Sequence, residues 1–481
     1  MFGSHSEYVK LVRRLLSVGM VSLTSTPKVV NGVFAVPKDA EQDRLIIDAV
    51  FANAWFTTPA KVKLPDPSHL ARLVATRSSG PLFVAKSDLS NFYHHLALPE
   101  WLRPYFCLVG LPASDLGLSG NGLIYPMLHT VPMGWSHSVN VAQAVHEHVV
   151  YSSGALRREH ALVRSTVDLS TGPLHGLYID DLFILGHVQA QADAQLEACL
   201  SAYEASGLIA KPSKVQHASC DGVDVLGMEV HGRNLTVEIG AESRIDLLQS
   251  AVTLLSQHTV TGLELSSLVG RFTWCMLVRR HSLQCFHHVY RFIHTRRDRP
   301  SQLWPSAIRE ILIACGLLPL LTARLTSPFS DRILVTDASE LGGAVVSRSR
   351  ESSDTPTDPS AMVSTMPTQH WSTIIQHRWR FKEHINALEL RAILLALIWV
   401  TSCKQTDHRI LLFSDSAVSL GVLSKGRTSA PTLLSVHKTI AALCLAAGLH
   451  LVSAHVPTHL NPADGPSRFH GPGPPTLTLI R

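Results

Sequence analysis

Two adjacent aspartates, Asp180 and Asp181, lie between apolar runs in residues 176–186 (GLYIDDLFILG). Short apolar runs on either side of a polar pair predict a β-hairpin with the acids at or beside its turn. Like charges this close repel, and burial raises the cost. The pair therefore favours a bound cation. Because Asp is also a common turn former, an ordinary Asp-Asp turn is the simpler interpretation of the pair taken alone.

A third acid, Asp88, lies upstream in the sequence and makes a metal site a better interpretation than an ordinary turn. Residues 82–88 (LFVAKSD) are typical of an apolar strand that ends in Asp88. Three carboxylates from two adjacent strands can hold two divalent ions, one activating an attacking hydroxyl and the other holding a triphosphate. Phosphoryl transfer requires little more than this positioning and charge neutralisation. The sequence therefore predicts a two-metal site at Asp88, Asp180 and Asp181.

The last third of the chain carries a second set of acids. Apolar strands are predicted to end at Asp337 and at Asp415, and residues 342–346 are expected to form a return strand after the first of them. Glu389 lies in a helix, 385–397, that is apolar around most of its circumference and is therefore expected to be buried. A buried Glu is costly unless it faces a cation. Asp464 is predicted near the start of a short terminal segment.

The two sets of acids resemble the motifs of a known family, the retroelement reverse transcriptases, and they occur along the chain in the same order as those motifs. Residues 178–181 (YIDD) resemble the Tyr-x-Asp-Asp box, and Asp88 resembles the first catalytic aspartate. The second set resembles the four-carboxylate site of a C-terminal ribonuclease H (RNase H): Asp337, Glu389, Asp415 and Asp464. The closing phrase 461–468 (NPADGPSR) is most similar to DIRS-type (tyrosine-recombinase) retrotransposons and less closely to pararetroviruses.

The resemblance implies a set of nucleotide-binding residues: Lys38, Arg44, Tyr93, Met133, Gly134 and Lys214. Tyr93 would be a steric gate against a ribose 2′-hydroxyl, and the alternative is a packed core aromatic. Lys38 and Arg44 would face the triphosphate, and the alternative is two solvated surface cations. Gly134 permits a close backbone approach. Lys214 would donate a proton to pyrophosphate. Departures from the family pattern occur at Asn91 and Val50, where an acid and an arginine are frequent, and at Met133, where Gln is frequent.

Primer and template contacts are implied for Tyr178, Gly227, Met228 and Arg271. Gly227 would mark a close approach of primer backbone, although a β-bulge is the simpler explanation. Arg271, with Arg279 and Arg280, would follow the duplex backbone or form a solvated helix face. His459 would be the family's mobile histidine that helps product leave. With 27 histidines in the chain, a surface residue is at least as good an interpretation.

The expected fold class is α+β or α/β and multidomain, with a right-hand polymerase (fingers, palm, thumb) followed by an RNase H-like α/β domain. The expected boundaries are 1–235 for fingers and palm, 236–325 for a helical thumb and connection, 326–470 for RNase H, and 471–481 for a flexible tail. Helices are predicted over 139–151, 189–204 and 263–277, and an amphipathic helix is predicted to stop at Gly19. The Ser/Thr/Pro-rich stretch 347–368 predicts a flexible loop.

Composition sets looser limits. At 481 residues, 46% hydrophobic and 16% charged, the chain can bury large cores. Its net charge of +5 suits a polyanionic partner but is mild. The eight cysteines have no C-x-x-C spacing, so neither a zinc site nor a disulfide framework is indicated. No signal-peptide run and no stretch of 18 apolar residues is present, which favours an intracellular protein without a membrane partner, cytoplasmic or nuclear.

The leading hypothesis is an enzyme that copies RNA, and then DNA, into DNA and degrades the RNA of the hybrid. Its cofactor would be Mg²⁺, two ions per active site, with Mn²⁺ as an alternative. Its partners would be an RNA template, a DNA primer, an RNA–DNA hybrid and dNTPs, with the oligomeric state left open. A domesticated or inactive retroelement protein that only binds nucleic acid is the alternative. A purely RNA-copying polymerase is disfavoured, because the RNase H domain would be idle and Tyr93 indicates exclusion of ribonucleotides.

Overall fold

The computed structural model of the chain describes residues 4–37, 43–162, 169, 172–354 and 357–470. The helices are α1 (His5–Ser17), α2 (Val50–Asn53), α3 (Pro67–Ala71), α4 (Phe92–His95), α5 (Ser138–Ser152), α6 (Gln189–Ala205), α7 (Ala241–Ser256), α8 (Gly262–Met276), α9 (His288–Thr295), α10 (Pro305–Leu317), α11 (Ile385–Ser402), α12 (Ala417–Lys425), α13 (Pro431–Ala446) and α14 (Asp464–Ser467). The strands are β1 (Val21–Thr24), β2 (Val30–Pro37), β3 (Asp43–Asp48), β4 (Phe83–Asp88), β5 (Cys107–Leu108), β6 (Leu111–Pro112), β7 (Leu123–Leu128), β8 (Leu174–Tyr178), β9 (Asp181–Gly186), β10 (Gln216–Ser219), β11 (Val223–Val225), β12 (Met228–His231), β13 (Thr236–Glu238), β14 (Thr322–Arg324), β15 (Phe329–Ala338), β16 (Gly342–Ser349), β17 (Ser372–Arg378), β18 (Arg409–Ser414) and β19 (His450–His455).

The described chain divides into two compact units. The first unit falls within Met1–Pro65, Phe83–Val163 and Pro173–Ser219. The second unit falls within Asp66–Leu82, Arg164–Gly172 and Cys220–Arg481. Together they make a mixed α/β, multidomain protein, as expected. The finer division into fingers, palm, thumb and RNase H remains a prediction, and the expected tail 471–481 lies outside the described residues.

The first unit contains two sheets. One has the strand order β10-β4-β9-β8 and is antiparallel throughout. Its apolar side chains, including Ala85, Leu182 and Ile184, are buried with residues of α6 such as Leu196. The other sheet has the order β1-β7-β5-β2-β3, with β6 paired to β7. The predicted helices over 139–151 and 189–204 are confirmed as α5 and α6, and the amphipathic N-terminal helix is confirmed as α1.

The second unit also contains two sheets. An antiparallel sheet has the order β11-β12-β13-β14, and a mixed five-stranded sheet has the order β17-β16-β15-β18-β19. In the mixed sheet β15 pairs in parallel with β18, and β18 with β19, so the carboxyl ends of these three strands lie at the same edge. The predicted strands that end in acids, the return strand (β16) and the predicted helix over 263–277 (α8) are confirmed.

Helix α11 covers one face of the mixed sheet. Its residues Leu390, Ile393 and Leu397 are buried with Leu334 and Leu412 of the central strands. In the described part of the chain, α11 is the one helix of sufficient length and apolar character to cross a membrane, and half of its most apolar window is buried inside the protein. These contacts are those of a core helix, as its sequence pattern predicts.

The expectation of a flexible loop over 347–368 is wrong for two parts of this stretch, whereas residues 350–354 and 357–358 between them lie in no helix or strand. Strand β16 continues to Ser349, and residues Pro359–Thr368 form a 3-10 helix. Met362 and Met366, four residues apart, are buried and pack against Phe413 and the other face of the mixed sheet. Composition alone suggested a loop because the Ser, Thr and Pro residues outnumber the two methionines that anchor the segment.

Candidate active sites

The first candidate site lies at the end of the hairpin formed by β8 and β9. Asp88, the last residue of β4, is directly opposite Asp181, the first residue of β9, across an antiparallel pair. Tyr178 and Asp181 close the β8–β9 pair, so Ile179 and Asp180 form a two-residue turn. The predicted hairpin is therefore confirmed. Directly opposite residues have Cβ atoms about 5 Å apart, so the fold brings Asp88 and Asp181 together, and Asp180 lies in the adjoining turn, where its charge acts on Asp181.

The turn itself holds a strained residue. Ile179 has a φ of 60°, a value at which a β-branched side chain crowds the backbone and which is rare for Ile. Such strain costs about 1–3 kcal/mol and persists only where surrounding contacts fix it. Two backbone hydrogen bonds anchor the neighbouring acids. The Leu89 N–H donates to the Asp180 carbonyl (3.0 Å), and the Lys211 N–H donates to the Asp88 carbonyl (2.8 Å).

Side chains of α5 hold the strained peptide. The Ile179 N–H donates to Gln143 Oε1 (2.9 Å), and Gln143 Nε2 donates to the Leu177 carbonyl (3.2 Å). His146 Nδ1 lies 2.8 Å from the Ile179 carbonyl. Gln143 and His146 are both buried. We call this pair the turn clamp. The only sequence signal for the turn clamp is that its two residues lie on one face of a predicted helix.

The protonation of His146 follows from its two partners. A carbonyl only accepts, so Nδ1 carries the proton and donates it to Ile179. Burial lowers the pKa of His146 to about 4, and the ring is therefore neutral near pH 7. Its Nε2 must then accept a hydrogen bond from the Tyr203 hydroxyl at 2.7 Å. The sequence Tyr203–His146–Ile179 thus forms one fixed chain of hydrogen bonds.

The three acids are electrostatically unfavourable without a cation. Burial, together with the charges of Asp180 and Asp88, raises the pKa of Asp181 to about 7. The positive charges of Lys86 and Lys214 act in the opposite direction and do not cancel this effect. A divalent cation would lower the pKa again, and carboxylate oxygens are the ligands that Mg²⁺ prefers. The residues present therefore fit a metal site.

A cavity of about 990 Å³ adjoins these acids. Its lining includes Asp88 and Asp180 together with three predicted nucleotide-binding residues, Arg44, Tyr93 and Met133. The burial of Tyr93 and the charge of Asp180 raise the pKa of the Tyr93 phenol to about 12. The lining also includes cations that the sequence did not single out as nucleotide-binding, Arg14 of α1 and Lys211.

Two other predicted nucleotide-binding residues, Gly134 and Lys214, are not among the residues that line this cavity. Gly134 has a φ of 123°, and a Cβ there would lie 2.0 Å from the Ile47 carbonyl. The close backbone approach is thus made by β3 of the protein itself. Lys214 ends a short 3-10 turn and acts on Asp181 through its charge. Lys38 lies outside the described residues.

Two of the four predicted primer and template contacts, Gly227 and Met228, lie at a second hairpin, whereas Tyr178 ends β8 and Arg271 lies in α8. Leu226 and Gly227 have φ values of 53° and 74°, and they form the two-residue turn between β11 and β12. Gly227 therefore marks a tight turn rather than a bulge. Trp274 of α8 donates a hydrogen bond to the Leu226 carbonyl (2.7 Å). The side chain of Met228 is buried, so contact with a primer there would have to involve the backbone.

Of the three basic residues predicted to follow the duplex, Arg271 is exposed on α8, whereas Arg279 and Arg280 are not exposed. Arg271 pairs with Asp246 and donates a hydrogen bond to Ser250 Oγ (2.9 Å). Arg279 is buried and Arg280 is half-buried. The guanidinium groups of both bind backbone carbonyls of the second unit. Duplex binding along the three residues together is therefore not supported by their positions.

The second candidate site lies at the carboxyl edge of the mixed sheet. Asp337 of β15, Glu389 of α11 and Asp415, which follows β18, place one carboxylate oxygen each within 4.8 Å of the others. Asn461 Nδ2 donates to Asp337 Oδ1 (3.1 Å) and orients that carboxylate. Asp337 and Glu389 are buried. Three of the four predicted acids therefore meet at one point.

The electrostatics of this cluster also favour a cation. Burial and the charges of Asp337 and Asp415 raise the pKa of Glu389 to about 9, and burial with the charges of Asp415 and Asp464 raises that of Asp337 to about 7. One oxygen of each, Asp337 Oδ2 and Glu389 Oε2, is buried without a hydrogen-bond partner among the described residues. Buried oxygens in this state are costly. They fit divalent metal ligands.

Asp464 and His459 occupy the margin of this site. Asp464 begins α14 and forms an ion pair with Arg468 (2.9 Å), and it is not one of the three acids whose oxygens lie within 4.8 Å of one another. Its charge still acts on Asp337. His459 is exposed on a short 3-10 turn. Asn461, which the sequence offered only as part of a phrase, is the closer contact.

No protein-family model matches the chain, and no curated protein matches it. Solved structures do. One is the foamy viral protease-reverse transcriptase in complex with an RNA/DNA hybrid. The alignment covers 100% of this chain and 56% of the viral chain, with a TM-score of 0.50 and 15% sequence identity. The foamy viral protease-reverse transcriptase in complex with dsDNA matches 95% of this chain and 84% of its own, with a TM-score of 0.49 and 14% identity. This chain thus spans about half of the hybrid-bound relative, and the likeness shows a reverse-transcriptase-like fold.

Proposed function

We propose that the chain is an RNA- and DNA-directed DNA polymerase with a second site that hydrolyses RNA in RNA–DNA hybrids. The observation that carries the proposal is the presence of two separate acid sites in a fold similar to reverse transcriptases. One is Asp88 opposite Asp181 beside a strained turn, and the other is the cluster of Asp337, Glu389 and Asp415. In this proposal residues 1–235 form fingers and palm, 236–325 the thumb and connection, and 326–470 the RNase H domain.

The residues of the polymerase site have defined roles in this proposal. Asp88, Asp180 and Asp181 hold two Mg²⁺ ions, which when bound supply the charge that activates a 3′-hydroxyl and neutralises the triphosphate. The turn clamp keeps Asp180 at the end of the hairpin. Arg44 and Lys211 face the phosphates from the cavity wall. The ring of Tyr93 limits the space beside the sugar and disfavours a 2′-hydroxyl.

At the second site Asp337, Glu389 and Asp415 hold the metal, and Asp464 adds negative charge at the margin. Asn461 fixes the rotamer of Asp337. Because the pKa of Asp337 is about 7 and that of Glu389 about 9 without metal, metal binding must release protons. Cleavage is therefore expected to weaken as the pH falls from about 9, and more steeply below about 7.

The test follows both reactions on one substrate, an RNA template with an annealed DNA primer. Asp180→Asn is expected to abolish primer extension and leave RNA cleavage, whereas Glu389→Gln is expected to abolish cleavage and leave extension. Asp298→Asn and Glu340→Gln are matched controls, because both side chains are exposed. Loss of both reactions in either active-site variant would contradict the assignment of two independent sites.

A nucleic-acid binder without turnover is the second candidate. It predicts that the native chain neither extends nor cleaves, yet binds the hybrid with an affinity that falls steeply with salt. Binding in that case would be unchanged by Asp180→Asn.

A further inference from the structure

A second cavity, of about 330 Å³, lies within the second unit and has an unusual concentration of positive charge. We call it the arginine cavity. Residues from α3, from the segment Leu277–Cys285, from β18 and from β19 line it. Its basic residues are Arg72, Arg279, Arg280, His281, Arg409 and His450. The only acid among the described lining residues is Asp358.

The guanidinium groups of Arg409 and Arg279 donate hydrogen bonds to uncharged partners. Arg409 is 1% exposed and donates to the carbonyls of Ser327, Arg72, Leu73 and Leu325. Arg279 lies at a kink in its segment and donates to the carbonyls of Cys444 and Leu449, and its Nη1 lies 2.8 Å from His450 Nε2. Carbonyls satisfy the hydrogen bonds but carry no net charge. Burial therefore lowers the pKa of Arg409 to about 10.

Arg72 and Arg280 complete the wall. Arg280 forms an ion pair with Asp66 (3.3 Å) and donates to the Ser424 carbonyl (3.1 Å), while its Nε is buried without a partner in the described chain. Arg72 is half-buried, and its guanidinium makes no hydrogen bond to a described residue. Burial and the charge of Arg280 lower the pKa of Arg72. His281 Nδ1 is likewise buried without a described partner.

The charge balance identifies the missing partner. Four guanidinium groups line the cavity, and the acids beside them are Asp358 of the lining and Asp66, which is paired with Arg280. Asp407 also acts on Arg279, but its charge is matched by its own ion pair with Arg324. A surplus of two positive charges remains in a poorly solvated space. A phosphate group carries about −1.5 to −2 near pH 7, and the planar guanidinium binds it through two parallel hydrogen bonds. A single carboxylate would neutralise only half of the surplus. The volume is at the lower end of the range of about 300–1,000 Å³ for small-molecule sites.

We propose that the arginine cavity binds a small phosphate-bearing anion, with Arg72 and Arg280 as its direct ligands and Arg279 and Arg409 as fixed charges behind them. The proposal does not depend on the catalytic activity proposed above. Arg72 and Arg280 are only partly buried, so they can exchange solvent for the anion, whereas the two buried arginines already have their hydrogen bonds.

The probes are inorganic phosphate, pyrophosphate and ATP, titrated calorimetrically into the full chain in EDTA so that neither acid site holds metal. Pyrophosphate is expected to bind well above the background of chloride at equal ionic strength, and Arg72→Gln is expected to weaken it at least tenfold. Arg309→Gln is the matched control, because Arg309 is exposed and lies outside the cavity. The thermal midpoint of each variant without anion shows that the fold is kept.

The affinities for ATP and for pyrophosphate distinguish a nucleotide from free phosphates as the occupant. If ATP binds more tightly than pyrophosphate and with the same dependence on Arg72, the occupant is a nucleotide; equal affinities indicate the phosphates alone. The proposal is overturned if no small anion binds, if Arg72→Gln binds as the native chain does, or if only a single-stranded oligonucleotide shows the dependence on Arg72. Arg72→Lys, which keeps the charge and loses the planar fork, is expected to fall between native and Gln.

Discussion

Replacing Glu389 by Gln is expected to stabilise the metal-free protein, although it removes a candidate catalytic acid. Glu389 is buried on α11 beside Asp337 and Asp415. Its burial and these two negative charges raise its pKa from 4.5 to about 9. Folding at neutral pH must therefore either bury a repelled charge or take up a proton. Gln keeps the size of the side chain, carries no charge and can donate to the neighbouring carboxylates.

The magnitude follows from the linkage between protonation and folding. The folded protein binds the proton more tightly than the unfolded chain, so the free energy of unfolding falls as the pH rises from about 4.5 to about 9. Each pH unit in this window costs about 1.4 kcal/mol. At pH 7 the penalty is therefore about 3 kcal/mol, and it is absent below pH 4.5.

The assay is the thermal midpoint of the native chain and of Glu389→Gln from pH 4.5 to 9 in EDTA, with hydrogen exchange of α11 amides as a local readout. The two proteins should coincide at the acid end, and the variant should become increasingly more stable as the pH rises. Mg²⁺ should stabilise the native chain more than the variant. Glu340→Gln, an exposed substitution, should show no such trend. A constant difference at all pH values, or destabilisation at pH 8, would refute the reasoning.

Two other variants probe contacts that hold the hairpins. His146→Leu leaves the Ile179 carbonyl and the Tyr203 hydroxyl without the partners they have at 2.8 and 2.7 Å. The unsatisfied Ile179 carbonyl alone costs about 1–3 kcal/mol, and we expect the displaced turn to lower primer extension roughly 10- to 100-fold while hybrid binding and RNA cleavage are kept. Trp274→Phe removes the hydrogen bond to the Leu226 carbonyl and should cost about 1 kcal/mol, measured as faster hydrogen exchange of the β11–β12 turn.

Each of these variants has a control in the chain. His148→Leu changes an exposed histidine on the same helix, and equal losses of extension in His148→Leu and His146→Leu would contradict the turn-clamp assignment. Trp101→Phe changes a tryptophan that is 69% exposed. Equally slow hydrogen exchange of the β11–β12 turn in Trp274→Phe and in Trp101→Phe would show that the Trp274 hydrogen bond does not stabilise that turn.

Much of the local structure and the placement of the acids could be predicted from the sequence. Asp180 and Asp181 between apolar runs predicted a hairpin turn, and apolar strands were predicted to end at Asp337 and Asp415. These predictions succeeded because a strand has a period of two and ends at a definite residue, so a polar residue after an apolar run can only lie at one place. Similarly, Glu389 lies in a helix that is apolar around most of its circumference, and such a helix is expected to be buried.

The rest depended on contacts between segments far apart in the chain. No local pattern shows that His146 and Gln143 of α5 meet the peptide of Ile179, or that Trp274 meets the turn at Leu226. Arg279 and Arg280 looked like a basic surface, yet a kink turns Arg279 into the interior. The sequence determined which residues are acids and where strands and helices carry them, because those are local properties. Only the tertiary structure decided which strained turns are held, which acids share a site and which arginines face a cavity, because burial and proximity arise when distant elements pack together.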